Sequence, residues 1–242
     1  MAFRVWAETD VGTVRKHNED ALVSRPDLGL WAVADGAGGH SAGEVASGRI
    51  AESLGALPPG LPPQDALREL RTRISDVHVW LRQEAASRGP GTIIASTVVI
   101  LLIRDQHFVC FWAGDSRAYL QRDGETRQIT RDHSLVQEMV ENGLIAADQA
   151  ESHPQANVIT RAVGADNEGL ELDKVSGRLL PGDRFLLCSD GLCKTVAASR
   201  LGELLAGNGA DNIARTLIDA ALTSGTRDNV TAVVVDVGDG TP

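Results

Sequence analysis

The stretch Leu30–His40, LWAVADGAGGH, decides how the chain is read. It opens with five apolar residues, Leu30 to Ala34, a run of buried-strand length. One acid follows, Asp35, and then a turn rich in glycine: Gly36, Gly38 and Gly39. A buried strand that ends on a carboxylate and a flexible turn can hold a charged ligand at the edge of a sheet, where glycines let the backbone come close to it. The plainer reading of the same residues is a strand, a loop and one solvated aspartate. What separates the two is whether other acids share the setting.

They do. Asp20 (Asn-Glu-Asp before a strand), Asp190 (Leu-Leu-Cys-Ser-Asp-Gly) and Asp228 (Arg-Asp-Asn before a strand) each sit where a strand meets a turn, as Asp35 does. Asp115, in Gly-Asp-Ser-Arg, is a fifth. Among 33 acidic residues any single one reads as a turn residue, but strand ends within a sheet gather at one edge. Carboxylates brought together repel unless a cation lies between them. Oxygen ligands without paired His or Cys point to Mg2+ or Mn2+ rather than zinc.

Outward from these positions the chain reads as follows. Strands are expected at Phe3–Asp10, Ala21–Ser24, from Leu30, at Leu170–Arg178, Arg184–Ser189 and Val230–Val237. Helical spacing marks Ser41–Leu54 and Asp65–Glu84, the latter with Asp65 as N-cap and His78 on the helix surface. Ile93–Ile103, His107–Ala113, Ala118–Gln121 and Thr126–Ile129, joined by short turns, predict one antiparallel meander. A short helix, Ser134–Asn142, closes on Gly143 at C′, and two more helices lie at Ser199–Ala206 and Asn212–Thr223. Leu144–Gly169 is polar and irregular and predicts a functional flap. Strands clustered centrally, with helices in two groups, argue against a βαβ sheet and for two packed antiparallel sheets with helices outside.

Composition sets the bounds. At 242 residues, 43% hydrophobic and 23% charged, the chain has the make-up of a globular domain with a sizeable core. A net charge of −10 argues against non-specific binding to nucleic acid or anionic lipid. Cys110, Cys188 and Cys193 fall in no zinc-like spacing and read as reduced, buried thiols of a cytoplasmic protein. Neither a signal peptide nor an apolar run of the ~20 residues that span a bilayer is found, so no membrane association is expected.

Five segments, in order across residues 4–237, resemble the motif set of the metal-dependent PP2C-type (PPM) protein phosphatases. They are Arg15-x-x-Asn18-Glu19-Asp20, Ala34-Asp35-Gly36-x-Gly38-Gly39-His40, Gly114-Asp115-Ser116-Arg117, Ser189-Asp190-Gly191-Leu192 and Arg227-Asp228-Asn229. The compact length and the Asp-Gly-x-Gly-Gly-His form resemble the bacterial serine/threonine branch. The resemblance implies an α+β fold, a four-layer α-β-β-α sandwich spanning residues 1–242 as a single catalytic domain, with a binuclear Mn2+ or Mg2+ site between the sheets. Asp35 would then bridge both metals, the Gly36 carbonyl would bind one, and Asp190 and Asp228 would hold the first. Glu19 and Asp20 would act around the metals through bound waters, and Arg15 would hold the substrate phosphate. Two metals ~3.5–4 Å apart can generate a hydroxide at neutral pH for in-line attack. An Arg fork suits phosphate oxygens, although a salt bridge to Glu19 or Asp20 is its plainer role.

Two positions depart from the pattern. Ala37 stands where eukaryotic relatives carry a His proposed as general acid, which leaves His40 as the candidate to protonate the leaving alkoxide, or else as a residue that shapes the loop. Lys194 stands where bacterial relatives carry an acid that helps Asp115 and Asp190 hold a third metal. An ammonium there predicts a weak or absent third ion and an intact pair. The expected activity is hydrolysis of phosphoserine and phosphothreonine in proteins by a metal-bridging hydroxide, reversing a Ser/Thr kinase. The expected partners are phosphoproteins and a cognate kinase, in settings such as cell-envelope control or type VI secretion, with a monomer as the acting form. The rival readings are a non-catalytic phosphoprotein-binding relative and a partner-switching phosphatase acting on an anti-sigma-factor antagonist.

Overall fold

Val98–Ile103 contains no polar residue, so a strand built from it needs cover on both faces. The chain meets that need twice over. The computed structural model describes residues 3–38, 42–165, 169–207 and 211–238. In chain order the elements are β1 (Phe3–Asp10), β2 (Asp20–Arg25), β3 (Leu30–Ala37), α1 (Ala42–Gly55), α2 (Pro63–Arg88), β4 (Ala95–Ser96), β5 (Val98–Arg104) and β6 (His107–Ala113). They continue as β7 (Arg117–Arg122), β8 (Glu125–Gln128), α3 (Leu135–Glu141), β9 (Asp173–Arg178), β10 (Arg184–Cys188), α4 (Asp190–Cys193), α5 (Ala198–Ala206), α6 (Ile213–Thr223) and β11 (Val230–Val237). One sheet has the order β1-β11-β10-β7-β8, and the other β2-β3-β5-β6-β9 with β4 paired to β3. Every pairing is antiparallel.

Three apolar clusters lie between four layers, and the period-2 alternation of the strands decides which cluster each side chain joins. Leu30, Ala32 and Ala34 of β3, with Val98, Ile100 and Leu102 of β5, pack on Ile50 and Leu54 of α1 and Leu70, Ile74 and Leu81 of α2. The alternate residues, Trp31, Val33, Val99 and Leu101, meet Phe185, Leu187, Val233 and Val235 of the facing sheet. The outer face of that second sheet (Leu186, Cys188, Ala232, Val234) is covered by Leu201 and Leu205 of α5 and Leu217 and Ile218 of α6. This is the expected α-β-β-α sandwich. All three cysteines are free and buried, as expected. Among the described residues no helix is long and apolar enough to cross a membrane.

The structure corrects several expectations. The four central strands are not one meander: β5–β6 belongs to one sheet and β7–β8 to the other. Residues 114–116 cross between the sheets, with Gly114 at φ 110° and packed where a Cβ would stand 2.6 Å from Thr97 Cβ. The expected strand Ile93–Ile103 is interrupted at Thr97, whose N–H donates to the Asp35 carbonyl at 2.8 Å. Helix α2 begins at Pro63 with Pro62 as N-cap, and Asp65 lies inside its first turn. His78 is buried rather than on the surface, and its Nδ1 accepts from the Gly164 N–H at 2.9 Å. Strand β9 begins at Asp173, three residues later than expected. Ser41, the expected start of α1, lies outside the described residues, as do residues 166–168 of the expected flap.

Candidate active site

The Leu30–Ala34 run delivers Asp35 to the end of β3, and antiparallel register sets Asp20 of β2 directly beside it. Thr97 and Ser96 fix the Asp35 backbone: the Asp35 N–H donates to Thr97 Oγ1 at 3.2 Å and Ser96 Oγ donates to the Asp35 carbonyl at 2.9 Å. The other sheet contributes from the ends of β10 and β11. Ser189 and Thr231 each donate a hydroxyl hydrogen bond of 2.7 Å to Asp20 Oδ2, which ties the two sheets together at the site. Asp190 opens α4 and Asp228 precedes β11.

Asn229 is the brace of this corner. Its Oδ1 accepts from the Glu19 N–H at 2.8 Å, and its Nδ2 donates to the carbonyls of Val11 and His17 at 2.9 and 3.0 Å. The loop that carries Arg15 is thereby held to the start of β11. Gly36 and Gly43 allow a further close approach. A Cβ on Gly43 would stand 2.7 Å from the Gly36 carbonyl oxygen and 2.8 Å from Glu19 Cδ. That space is open only because Gly43 has no side chain, and it faces a backbone carbonyl and a carboxylate, both hard oxygen donors.

A cleft of ≈ 470 Å³ is lined by Val14, Arg15, Asn157, Asp190, Lys194 and Asp228, among others. Burial pushes the Asp35 carboxyl well above its ordinary range, and Asp20, Asp190, Asp115 and Asp228 push the same way. Burial likewise raises Asp20, to about 7, against the Thr231 and Ser189 hydroxyls that favour its charge. Asp35 therefore senses the other four aspartates singled out in the sequence. Two cations of the chain share the cluster with them: Arg15 Nη2 lies 2.7 Å from Asp228 Oδ2, and Lys194 Nζ lies 2.6 Å from Asp115 Oδ2 and 3.0 Å from Asp190 Oδ2. Burial opposes the Lys194 charge, but Asp115 and Asp190 raise its pKa on balance.

Arg15 is thus paired with Asp228, not with Glu19 or Asp20. Among the described residues no three His, Cys, Asp or Glu side chains stand in metal-holding geometry. The oxygens are instead engaged by Arg15, Lys194, Ser189 and Thr231, and Asp115 Oδ1 is buried without a partner among the described residues. The donor chemistry nonetheless fits a hard divalent cation, because the clustered groups are carboxylate and carbonyl oxygens, and burial and neighbouring charge raise Asp20 and Asp35 among them. Gly39 and His40 lie outside the described residues. Sequence reasoning did not single out Ser189, Thr231, Asn229 or Gly43. Ser189 and Asn229 lie in quoted motifs and Thr231 lies two residues past one, but only the packing of one sheet on the other shows that their side chains meet Asp20 and Glu19.

A two-sheet sandwich with acids gathered at the edge between the sheets defines a class, and the chain belongs to it: it is a member of the protein phosphatase 2C family, whose model matches residues 13–207. It is 38% identical over 243 residues to the serine/threonine protein phosphatase PstP of Mycobacterium tuberculosis, a match covering 99% of this chain and 46% of that protein. The chain thus spans about half the length of that relative. It is 34% identical to protein phosphatase PhpP of Streptococcus pneumoniae over 96% of both chains. Among solved structures, PppA of Pseudomonas aeruginosa, described as a key regulatory component of T6SS, matches with a TM-score of 0.90 at 44% identity over 98% of each chain. The PstP catalytic domain in complex with two manganese ions matches with a TM-score of 0.84 at 36% identity, covering 98% of this chain and 99% of that one.

Proposed function

We propose that this chain hydrolyses phosphoserine and phosphothreonine in proteins, using two Mn2+ or Mg2+ ions held by the acids of the cleft. The observation that carries this reading is the convergence of Asp20, Asp35, Asp190 and Asp228 beside Arg15. The two manganese ions of the PstP catalytic domain support the number and kind of ion. Bound there, such ions activate water at neutral pH and offset the charge of the phosphoryl oxygens.

The chain's own residues bind and orient. Asp35 would contribute to holding both ions, Asp190 and Asp228 to one of them, and the Gly36 carbonyl, with Glu19 and Asp20 through water, would complete the donor set. Ser189 and Thr231 fix the Asp20 carboxylate. Arg15, paired with Asp228 at the half-exposed edge of the cleft, would be free to grip two phosphate oxygens with its planar fork once that carboxylate held a cation. Asn157, from the expected flap, lines the cleft and shapes access to it. The buried cysteines, with burial pushing the Cys110 thiol up, favour direct hydrolysis over a phosphocysteine.

The substrates are proteins phosphorylated by a Ser/Thr kinase, and the likeness to PppA favours type VI secretion as the setting. The acting form is a cytoplasmic monomer. The test is hydrolysis of a phosphothreonine peptide and of p-nitrophenyl phosphate after EDTA treatment, with Mn2+ or Mg2+ then restored. Turnover returns with the metal and is lost in Asp190→Asn. Metal-independent turnover, or full turnover in Asp190→Asn, refutes the proposal.

A further inference from the structure

The two cations that the chain brings to its carboxylates are held differently. Arg15 and Asp228 are 50% and 42% exposed, a pair that water and salt weaken. Lys194 is 18% exposed, and Asp115, 2.6 Å away, is 1% exposed. The ammonium spans two carboxylates from different elements, Asp115 of the inter-sheet crossover and Asp190 of α4. Asn157 Oδ1 lies 3.4 Å from the same nitrogen.

Neither support of this bridge is free to move. The crossover is pinned on both sides of Asp115: the Gly114 N–H donates to His133 Nδ1 at 3.2 Å, and Ser116 Oγ hydrogen-bonds Thr97 Oγ1 at 2.6 Å. Lys194 is the C-cap of α4, with its own N–H on the Asp190 carbonyl at 2.8 Å. A cation that displaced the ammonium would strand a charge at a largely buried position, which is strongly unfavourable. One that displaced Arg15 would return it to solvent. Asp115 Oδ1 has no hydrogen-bond partner among the described residues, so Lys194 meets only part of what that carboxylate can accept.

We infer that Lys194 is a permanent internal counter-ion: its ammonium fills the place between Asp115 and Asp190 that a further divalent ion would take. The cleft accordingly binds two ions and not three. Asp115 positions Lys194 and does not ligate metal. This inference rests on the two-ion reading above.

The test counts ions. Mn2+ is titrated into EDTA-stripped protein and followed by calorimetry and by the EPR signal of free Mn2+. Wild type takes up two equivalents, and Asp115→Asn also takes up two. Lys194→Asp takes up a third, weaker equivalent, which adding Asp115→Asn to the same chain removes. Lys194→Gln, of similar length and without charge, does the same more weakly and covers the case in which the aspartate variant fails to fold. Three equivalents in wild type, one lost in Asp115→Asn, or only two in the folded Lys194 variants overturns the inference and leaves the two-ion reading standing. No uptake by wild type removes that reading, and the role of Lys194 with it.

Discussion

Asp20 accepts hydrogen bonds from Ser189 and Thr231, yet burial and the neighbouring aspartates raise its pKa to about 7. A carboxyl group whose folded-state pKa exceeds its unfolded value is bound to its proton more tightly in the folded protein. Its ionisation therefore weakens the fold as pH rises from the unfolded value towards the folded one, and no further loss follows above that. For Asp20 this window runs from the ordinary carboxylate range to about 7, and the raised Asp35 extends it upward. Metal-free protein should accordingly lose Tm between pH 5 and pH 7.5, with a shallower slope in Asp20→Asn. Mn2+ should raise Tm most at the upper end. Thermal unfolding with and without EDTA checks both. Arg15 offers a different contrast. Its half-exposed pair with Asp228 is worth about 0–1 kcal/mol, so Arg15→Ala should hardly shift a urea midpoint. Losing hydrogen bonds to a charged phosphate, at about 1.5–3 kcal/mol, should lower kcat/KM roughly 10- to 100-fold. Steady-state kinetics on a phosphothreonine peptide measures it.

Helix α1 sets two glycines against each other. Gly48 has nothing within 4 Å of where a Cβ would stand, so Gly48→Ala should stabilise by about 0.5–1 kcal/mol. Gly43→Ala gains the same propensity but drives its Cβ into the Gly36 carbonyl and Glu19, so it should destabilise and weaken Mn2+ uptake. Urea titration and calorimetry on the two variants decide it. The sequence made the ends of most elements legible: β1 and β11 fall where alternation and apolar runs place them, and Gly143 closes α3 at φ 68°. It did not make legible which sheet receives a strand. A three-residue turn reads alike whether the chain folds back beside itself or crosses to another layer, and only the pairing of β7 with β10 of the other sheet distinguishes the two. His78 misled for a similar reason. Its position on α2 is fixed by helical spacing, but its burial depends on Gly164, 86 residues away, offering an N–H. The acids of the site were legible because each sits in its own strand-end motif, whereas Ser189, Thr231 and Asn229 are polar residues whose role exists only across strands.

At the scale of the whole molecule, the layer between the two sheets holds the sandwich together. Phe185, fully buried, meets Phe108 of the opposite sheet edge-on at 5.0 Å between ring centroids. Phe185→Ala should cost about 3–5 kcal/mol, seen as a lower urea midpoint at unchanged m. Arg184 and Asp236 form a buried ion pair within one sheet, so Asp236→Ala, which strands the guanidinium, should cost a similar roughly 3–5 kcal/mol. The hydrogen bond from Thr231 to Asp20 joins residues 211 apart in sequence. At about 5–20 residues per second of synthesis, the first carboxylates of the site wait roughly 10–40 s for the strand that completes it. A chain in which β11 has not yet been made therefore lacks one of the two hydroxyls that hold the Asp20 carboxylate. Translation itself therefore acts as a timer for the assembly of this corner of the cleft.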